Sequence, residues 1–129
     1  MSEYNPVNEV LKKQYEETLL HGKSRDPKTV RAVWNNINLF ESFTGHADFK
    51  SFNAEQAKSF KGWLEKQNNQ KGELLSISTI RSTLNNVREF LVWLASHPRY
   101  IRKVDGRAVQ YLRLSDNANR AARAYREKT

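Results

Sequence analysis

Residues 76–98 read SISTIRSTLNNVREFLVWLASHP, and this stretch decides the fold. Ile80, Leu84, Val87, Leu91 and Leu94 recur at three- and four-residue steps. At about 100° per residue, that spacing puts them in a narrow arc of an α-helix. Ser76 or Ser78 can cap its start, and His97-Pro98 ends it. A helix this apolar along one side has to be covered by others, so it is the spine of a helical core.

The rest of the chain supplies the cover. From Asn5 to Leu20, Val7, Val10, Leu11, Tyr15 and Leu19 form one stripe, with Lys12, Lys13, Glu16 and Glu17 on the other side. After His21-Gly22 a polar turn leads to Asp26 as N-cap and Pro27 at the first helical position. Val30, Val33, Trp34, Ile37 and Phe40 then continue until Thr44-Gly45. Asn53 and Gln56 open a third helix in the manner of a capping box, with Ala57, Phe60 and Leu64 inward. The segment Gln67–Gly72 has no apolar residue and reads as a surface connection. Beyond Pro98, Tyr100, Ile101, Val104, Val109, Tyr111, Leu112 and Leu114 are scattered among Arg and Lys, which predicts an irregular or helical turn. Helical spacing resumes over Asp116–Arg126 with Ala118, Ala121, Ala122 and Tyr125. No run alternates long enough for a sheet, so the prediction is an all-α bundle of four helices with an additional C-terminal helix.

Composition narrows the function. The 129 residues suit one domain, and 14 aromatic side chains are enough for a small core. Without cysteine there are no disulfides, thiol nucleophiles or Cys-based zinc sites, and a cytoplasmic protein is the simplest reading. The longest apolar run, Phe90–Ala95, is far short of the roughly 20 residues a membrane helix needs, and the N-terminus lacks a secretory pattern. The three histidines, His21, His46 and His97, form no ligand pair, and HExxH, GxxxxGK[ST] and GxGxxG are all missing. No residue is therefore assigned as catalytic or metal-binding, and no cofactor is expected. The net charge is +8. Residues 1–98 contribute +2 of it and residues 99–129 contribute +6, which favours a polyanionic partner and nucleic acid before anionic lipid.

On the helical wheel, Ser78, Arg81, Ser82 and Asn85 turn away from the apolar arc of the spine helix with Arg88 on its flank. Lys28, Arg31 and Asn35 do the same on the second helix. Arg and Lys neutralise phosphates, Arg and Asn read base edges, and Ser or Thr near a helix start holds a phosphate with the free N–H groups. Glu89 is the one acid on that side of the spine helix. A solvated polar face is the plain alternative.

The order of residues adds to this. The string from Asp26 to Trp34, then Phe40, then Ser78-Thr79-Ile80-Arg81 through Val87-Arg88-Glu89-Phe90 and Trp93-Leu94, resembles the N-terminal core-binding, or SAM-like, domain of tyrosine recombinases (phage-type integrases) over about Asn5 to Leu94. The tail, with Tyr111–Asn117 and Arg120–Ala124, is similar to the segment that joins this domain to the catalytic domain. The resemblance implies a DNA-binding domain over residues 1–98, with 99–129 a basic segment starting the linker to a catalytic domain that carries an Arg/His/Arg set and a nucleophilic Tyr. None of the five tyrosines here stands in a matching context, so the expectation is a part of a longer enzyme, without activity of its own. It implies that the second and fourth helices form half of a clamp on double-stranded DNA at the recombination or attachment site. Lys28, Thr29 and Arg31 match the DNA-meeting positions of the second helix, and Thr79, Arg81, Ser82, Asn85 and Arg88 those of the fourth. Asn85 and Asn86 stand where the family often has a small residue. Thr79 has a second reading as a near-cap, and Arg88 as a partner of an acid near Glu89 or of a loop carbonyl. The expected state is a monomer alone and a tetramer for the parent on DNA, in the bacterial cytoplasm and on the nucleoid when bound. Two other readings are a helical protein-interaction domain using Leu39, Phe43, Trp63 or Trp93, and RNA binding through the basic tail, which has no RRM or KH signature.

Overall fold

The computed structural model describes residues 5–113. Four α-helices follow in order: α1 (Pro6–Glu17), α2 (Pro27–Phe43), α3 (Ala54–Glu65) and α4 (Ile77–Ala95). A π-helical turn, Thr18–Gly22, extends α1, and 3-10 turns occupy Phe49–Ser51 and Gly106–Tyr111. No helix among these residues is long and apolar enough to cross a membrane. The expected helix over Asp116–Arg126 lies outside the described residues.

Each α-helix begins on a side-chain cap, which satisfies an N–H that the helix leaves free. Asn5 Oδ1 accepts from the Asn8 N–H at 3.1 Å, Asp26 Oδ1 from Lys28 at 2.8 Å, Asn53 Oδ1 from Gln56 at 2.9 Å and Ser76 Oγ from Thr79 at 3.1 Å. Ser76, not Ser78, therefore starts α4. Pro6 and Pro27 stand directly behind their caps, where a missing N–H costs nothing. At the other end of α2, Gly45 adopts φ +69°, and the His46 and Gly45 N–H groups return to the carbonyls of Glu41 and Ser42. This Schellman closure is why the helix stops there, and it lays His46 beside Glu41.

The core forms around α4. Ile80, Leu84, Val87, Leu91 and Leu94 are buried, as their spacing predicts, and α2 shares the most extensive helix–helix interface with it. Phe90 extends this arc, its ring 4.9 Å from Phe49 and 5.2 Å from Tyr15 in edge-to-face contact. Burial pushes the Tyr15 phenol up to about 12, so it sits in the core uncharged. Phe60 does the equivalent for α3 by packing edge-on to Phe40 at 5.1 Å. The core does not stop at Pro98. Val104, Ala108 and Leu112 are buried against α3 and α4, so the chain after α4 returns across the bundle.

Helix α1 departs from its expected orientation. Val7 and Val10 are 44% and 57% exposed, while Asn8 and Lys12 face inward with Leu11, Tyr15 and Leu19. A polar network accounts for the rotation. Lys12 Nζ lies 2.6 Å from Glu41 Oε1, 2.7 Å from Glu9 and 2.8 Å from Asn38 Oδ1. Asn8 donates to Glu41 Oε2 at 3.0 Å and to the Ala47 carbonyl at 2.8 Å, and accepts from the Phe49 N–H at 3.1 Å. Two buried charges are thus paired and ringed by amides, the arrangement that makes their burial tolerable. Burial works against the ionised Glu41. The hydrogen bonds from Lys12 and Asn8 and the Lys12 charge outweigh it and hold the carboxyl below its ordinary value. Burial likewise works against charged Lys12, and Glu41 and Glu9 outweigh it and raise the ammonium above its ordinary value.

Two predictions follow from this network. Lys12→Met leaves the Glu41 carboxylate buried without its cation and should cost about 3–5 kcal/mol in urea unfolding, whereas the double change Lys12→Met with Glu41→Leu should recover most of that loss. A double variant as unstable as the single one would show that the pair is not the source of the effect. Because the native Glu41 pKa lies below the unfolded one, its contribution is present above 4.5 and lost as pH falls through the lowered native value. The raised Lys12 pKa makes its contribution complete below 10.5 and lost only as pH rises through the higher native value. Unfolding free energy measured against pH should therefore drop on the acid side in the wild type and drop less steeply in Glu41→Gln.

Candidate nucleic-acid interface

The caps fix where the polar side chains emerge. With Asp26 and Pro27 setting the start of α2, Lys28, Thr29 and Arg31 occupy its first two turns, with Asn35 one turn further, and all four are exposed. With Ser76 setting the start of α4, Ser78, Thr79, Arg81 and Ser82 are exposed, and Asn85 and Arg88 are half-buried. The two helices lie against each other. Asn86 Nδ2 donates to Asn36 Oδ1 at 2.8 Å across their seam, so this pair of amides is committed to joining the helices.

Acid is scarce on these surfaces. The only carboxylate within α2 is Glu41, buried and paired with Lys12, and the only one within α4 is Glu89, which is exposed. The outer side of α2 therefore presents Lys28 and Arg31 with no acid of its own helix between them, a field suited to an anion.

The structure sorts the sequence-predicted residues into two groups. Arg81, Asn85 and Arg88 gather, with Leu84, Leu112 and Arg113, around an open groove of about 220 Å³. Lys28, Thr29, Arg31 and Asn35 lie on α2 outside that groove. Thr79 serves the cap: its N–H donates to Ser76 Oγ, and the Ser76 hydroxyl bonds its Oγ1 at 2.9 Å. The expected acid or loop-carbonyl partner of Arg88 is not the observed one. Its guanidinium donates to Asn85 Oδ1 at 2.7 Å, one turn back on the same helix, where residues three apart are neighbours.

Sequence reading missed the residues that complete this side. Arg113 falls in the segment read as the start of a linker; its carbonyl accepts from Lys61 Nζ at 2.9 Å and its neighbour Leu112 is buried. Lys58 stands 4.4 Å over the Tyr111 ring. The available signal was the four-residue step from Val104 to Ala108 to Leu112, which marks one buried side of the segment.

The histidines are spread through the fold. His46 Nδ1 lies 3.4 Å from Glu41 Oε2, His97 packs between Trp93 and Tyr100, and His21 is exposed in the π turn. Among the described residues, no three His, Asp or Glu side chains come together as a metal site. The apolar candidates for protein docking, Leu39, Phe43, Trp63 and Trp93, are half-buried and packed against the core, because their rings and branches close its edges.

What the arrangement offers chemically is hydrogen-bond donation and positive charge from two packed helices. The family model for the N-terminal SAM-like domain of phage integrases matches residues 13–98, which takes in the last part of α1 and all of α2, α3 and α4. No curated protein and no solved structure gave a match. The match covers well over half of the chain, and with the all-helical fold it shows that the protein belongs to the phage integrase N-terminal SAM-like domain family.

Proposed function

We propose that this chain is the DNA-binding domain of a site-specific tyrosine recombinase or integrase, which grips duplex DNA at a recombination site through α2 and α4 as one half of a clamp. Strand cleavage and rejoining then belong to a separate catalytic domain. The observation that carries this reading is the side-by-side packing of two helices whose outer polar faces carry Lys28, Arg31, Arg81 and Arg88, with Glu89 the one exposed acid within the helices and Asp26 at the cap of α2. Family membership gives that surface its ligand class.

The proposed division of labour follows from donor chemistry. Lys28 and Arg31 neutralise phosphates, while Thr29 and Ser78, in first turns, add hydroxyl donors near the free N–H groups of their helices. Asn35, Ser82 and Asn85 are placed to supply polar contacts, and Thr79 contributes indirectly by fixing the start of α4. Binding by this domain alone is mainly to the backbone and steeply salt-dependent, since a clamp half lacks the second attachment that gives effective concentration. In isolation the domain is a monomer, and a tetramer forms on paired sites with the catalytic domain present. The compartment is the bacterial cytoplasm, with the nucleoid as the bound location. The protein-interaction alternative is less favoured, since Leu39, Phe43, Trp63 and Trp93 are half-buried with part of each side chain packed on the core.

The test is fluorescence anisotropy of a labelled generic duplex, titrated at several salt concentrations. Lys28→Ala with Arg81→Ala should weaken binding about tenfold or more at low salt and flatten the salt dependence, with an unchanged melting temperature. Wild-type affinity in that folded double variant would remove the assignment of α2 and α4 as the DNA face.

A further inference from the structure

We propose that Arg113 joins Arg81 and Arg88 in one phosphate-binding groove, so that the segment following α4 supplies part of the nucleic-acid face. This rests on the DNA-binding reading above and goes beyond it by placing a phosphodiester group at a named site. The groove encloses about 220 Å³ and opens to solvent, so an anion can approach the side chains that line it. Its floor is apolar, made by Leu84 and Leu112, both 1% exposed. Its walls offer donors. A guanidinium carries N–H groups and no acceptor, and Asn85 has already given its oxygen to Arg88, which leaves its amide N–H groups.

No carboxylate lines the groove, and among the described residues none pairs with Arg81, Arg88 or Arg113. Three like charges around one concavity repel one another unless an anion neutralises them. The guanidinium fork suits the oxygens of a phosphate, and two of the three arginines are delivered from fixed positions. Arg88 is held by Asn85. Arg113 leaves a backbone secured by the burial of Leu112, by Lys61 on its own carbonyl and by Lys58 over Tyr111. Such preorganisation lowers the entropy lost when the ligand arrives. A phosphate held here is read by charge and shape, so the site adds grip without sequence preference.

The experiment uses the full chain with Arg113→Ala, Arg113→Lys and, as a control outside the groove, Lys28→Ala with Arg31→Ala. Duplex binding is followed against salt, and inorganic phosphate is titrated separately by its effect on melting temperature. Arg113→Ala should weaken duplex binding roughly three- to tenfold at low salt and reduce the salt slope by about one, with no change in preference among sequences. Arg113→Lys, which keeps the charge and loses the fork, should fall between that variant and wild type. If the α2 control weakens binding while folded Arg113→Ala keeps wild-type affinity and slope, the groove assignment fails and the DNA reading stands. If neither variant changes binding, the DNA reading fails with it. Loss of a phosphate effect in Arg113→Ala with duplex binding intact would make this a free-phosphate site and overturn its assignment to the DNA backbone.

Discussion

The buried ion pair between Lys12 and Glu41 constrains both the packing and the surface of this domain. An ammonium and a carboxylate 2.6 Å apart, each almost fully removed from water, tolerate no displacement that would leave either one alone. Helix α1 must therefore lie on α2 with Lys12 inward, and Val7 and Val10 are turned out as a result. Asn8 extends the constraint to Ala47 and Phe49, so the loop leading to α3 is tied to the same point. The pair also keeps the one carboxylate within α2 in the interior, so Lys28 and Arg31 stand on that helix without an exposed acid between them.

From there the architecture builds a platform. Helix α4 runs through the core and takes α2 on one flank, where Asn86 meets Asn36, and the returning segment on another, where Leu84 and Leu112 floor the arginine groove. Sites carried on packed helices are held more exactly than sites on loops, and the caps at Asp26 and Ser76 fix which residues open each helix. Contacts to phosphates are individually weak and strongly screened. On the proposed reading, a set of cations that does not have to be gathered on binding makes the most of them.

The sequence was legible wherever one helix face pointed to one environment. The five apolar positions of α4 all went inside, and Asp26, Asn53, Thr44-Gly45 and His97-Pro98 all act as helix boundaries, because caps and stops are local chemistry. Lys12 was illegible because the wheel assigns it by its own polarity, while its burial is decided by Glu41, 29 residues away. In the segment after Pro98 the turn was legible and its burial was not. The 3-10 helix Gly106–Tyr111 is short, and its burial depends on a groove that exists only once α3 and α4 have packed. Of the interface, the sequence supplied Arg81, Asn85 and Arg88 as neighbours on one helix, and only the fold brings Arg113 to them.

The central claim is that duplex DNA meets the surface made by α2 and α4. Amide chemical shifts of the isotopically labelled chain, followed during titration with a generic duplex at low salt, test it residue by residue. The account predicts salt-reversible shifts concentrated at residues 28–36 and 78–88 and at Arg113, with α1 and the outer side of α3 unchanged. Shifts concentrated on α1 around Val7 and Val10, or none at any salt concentration, would contradict it.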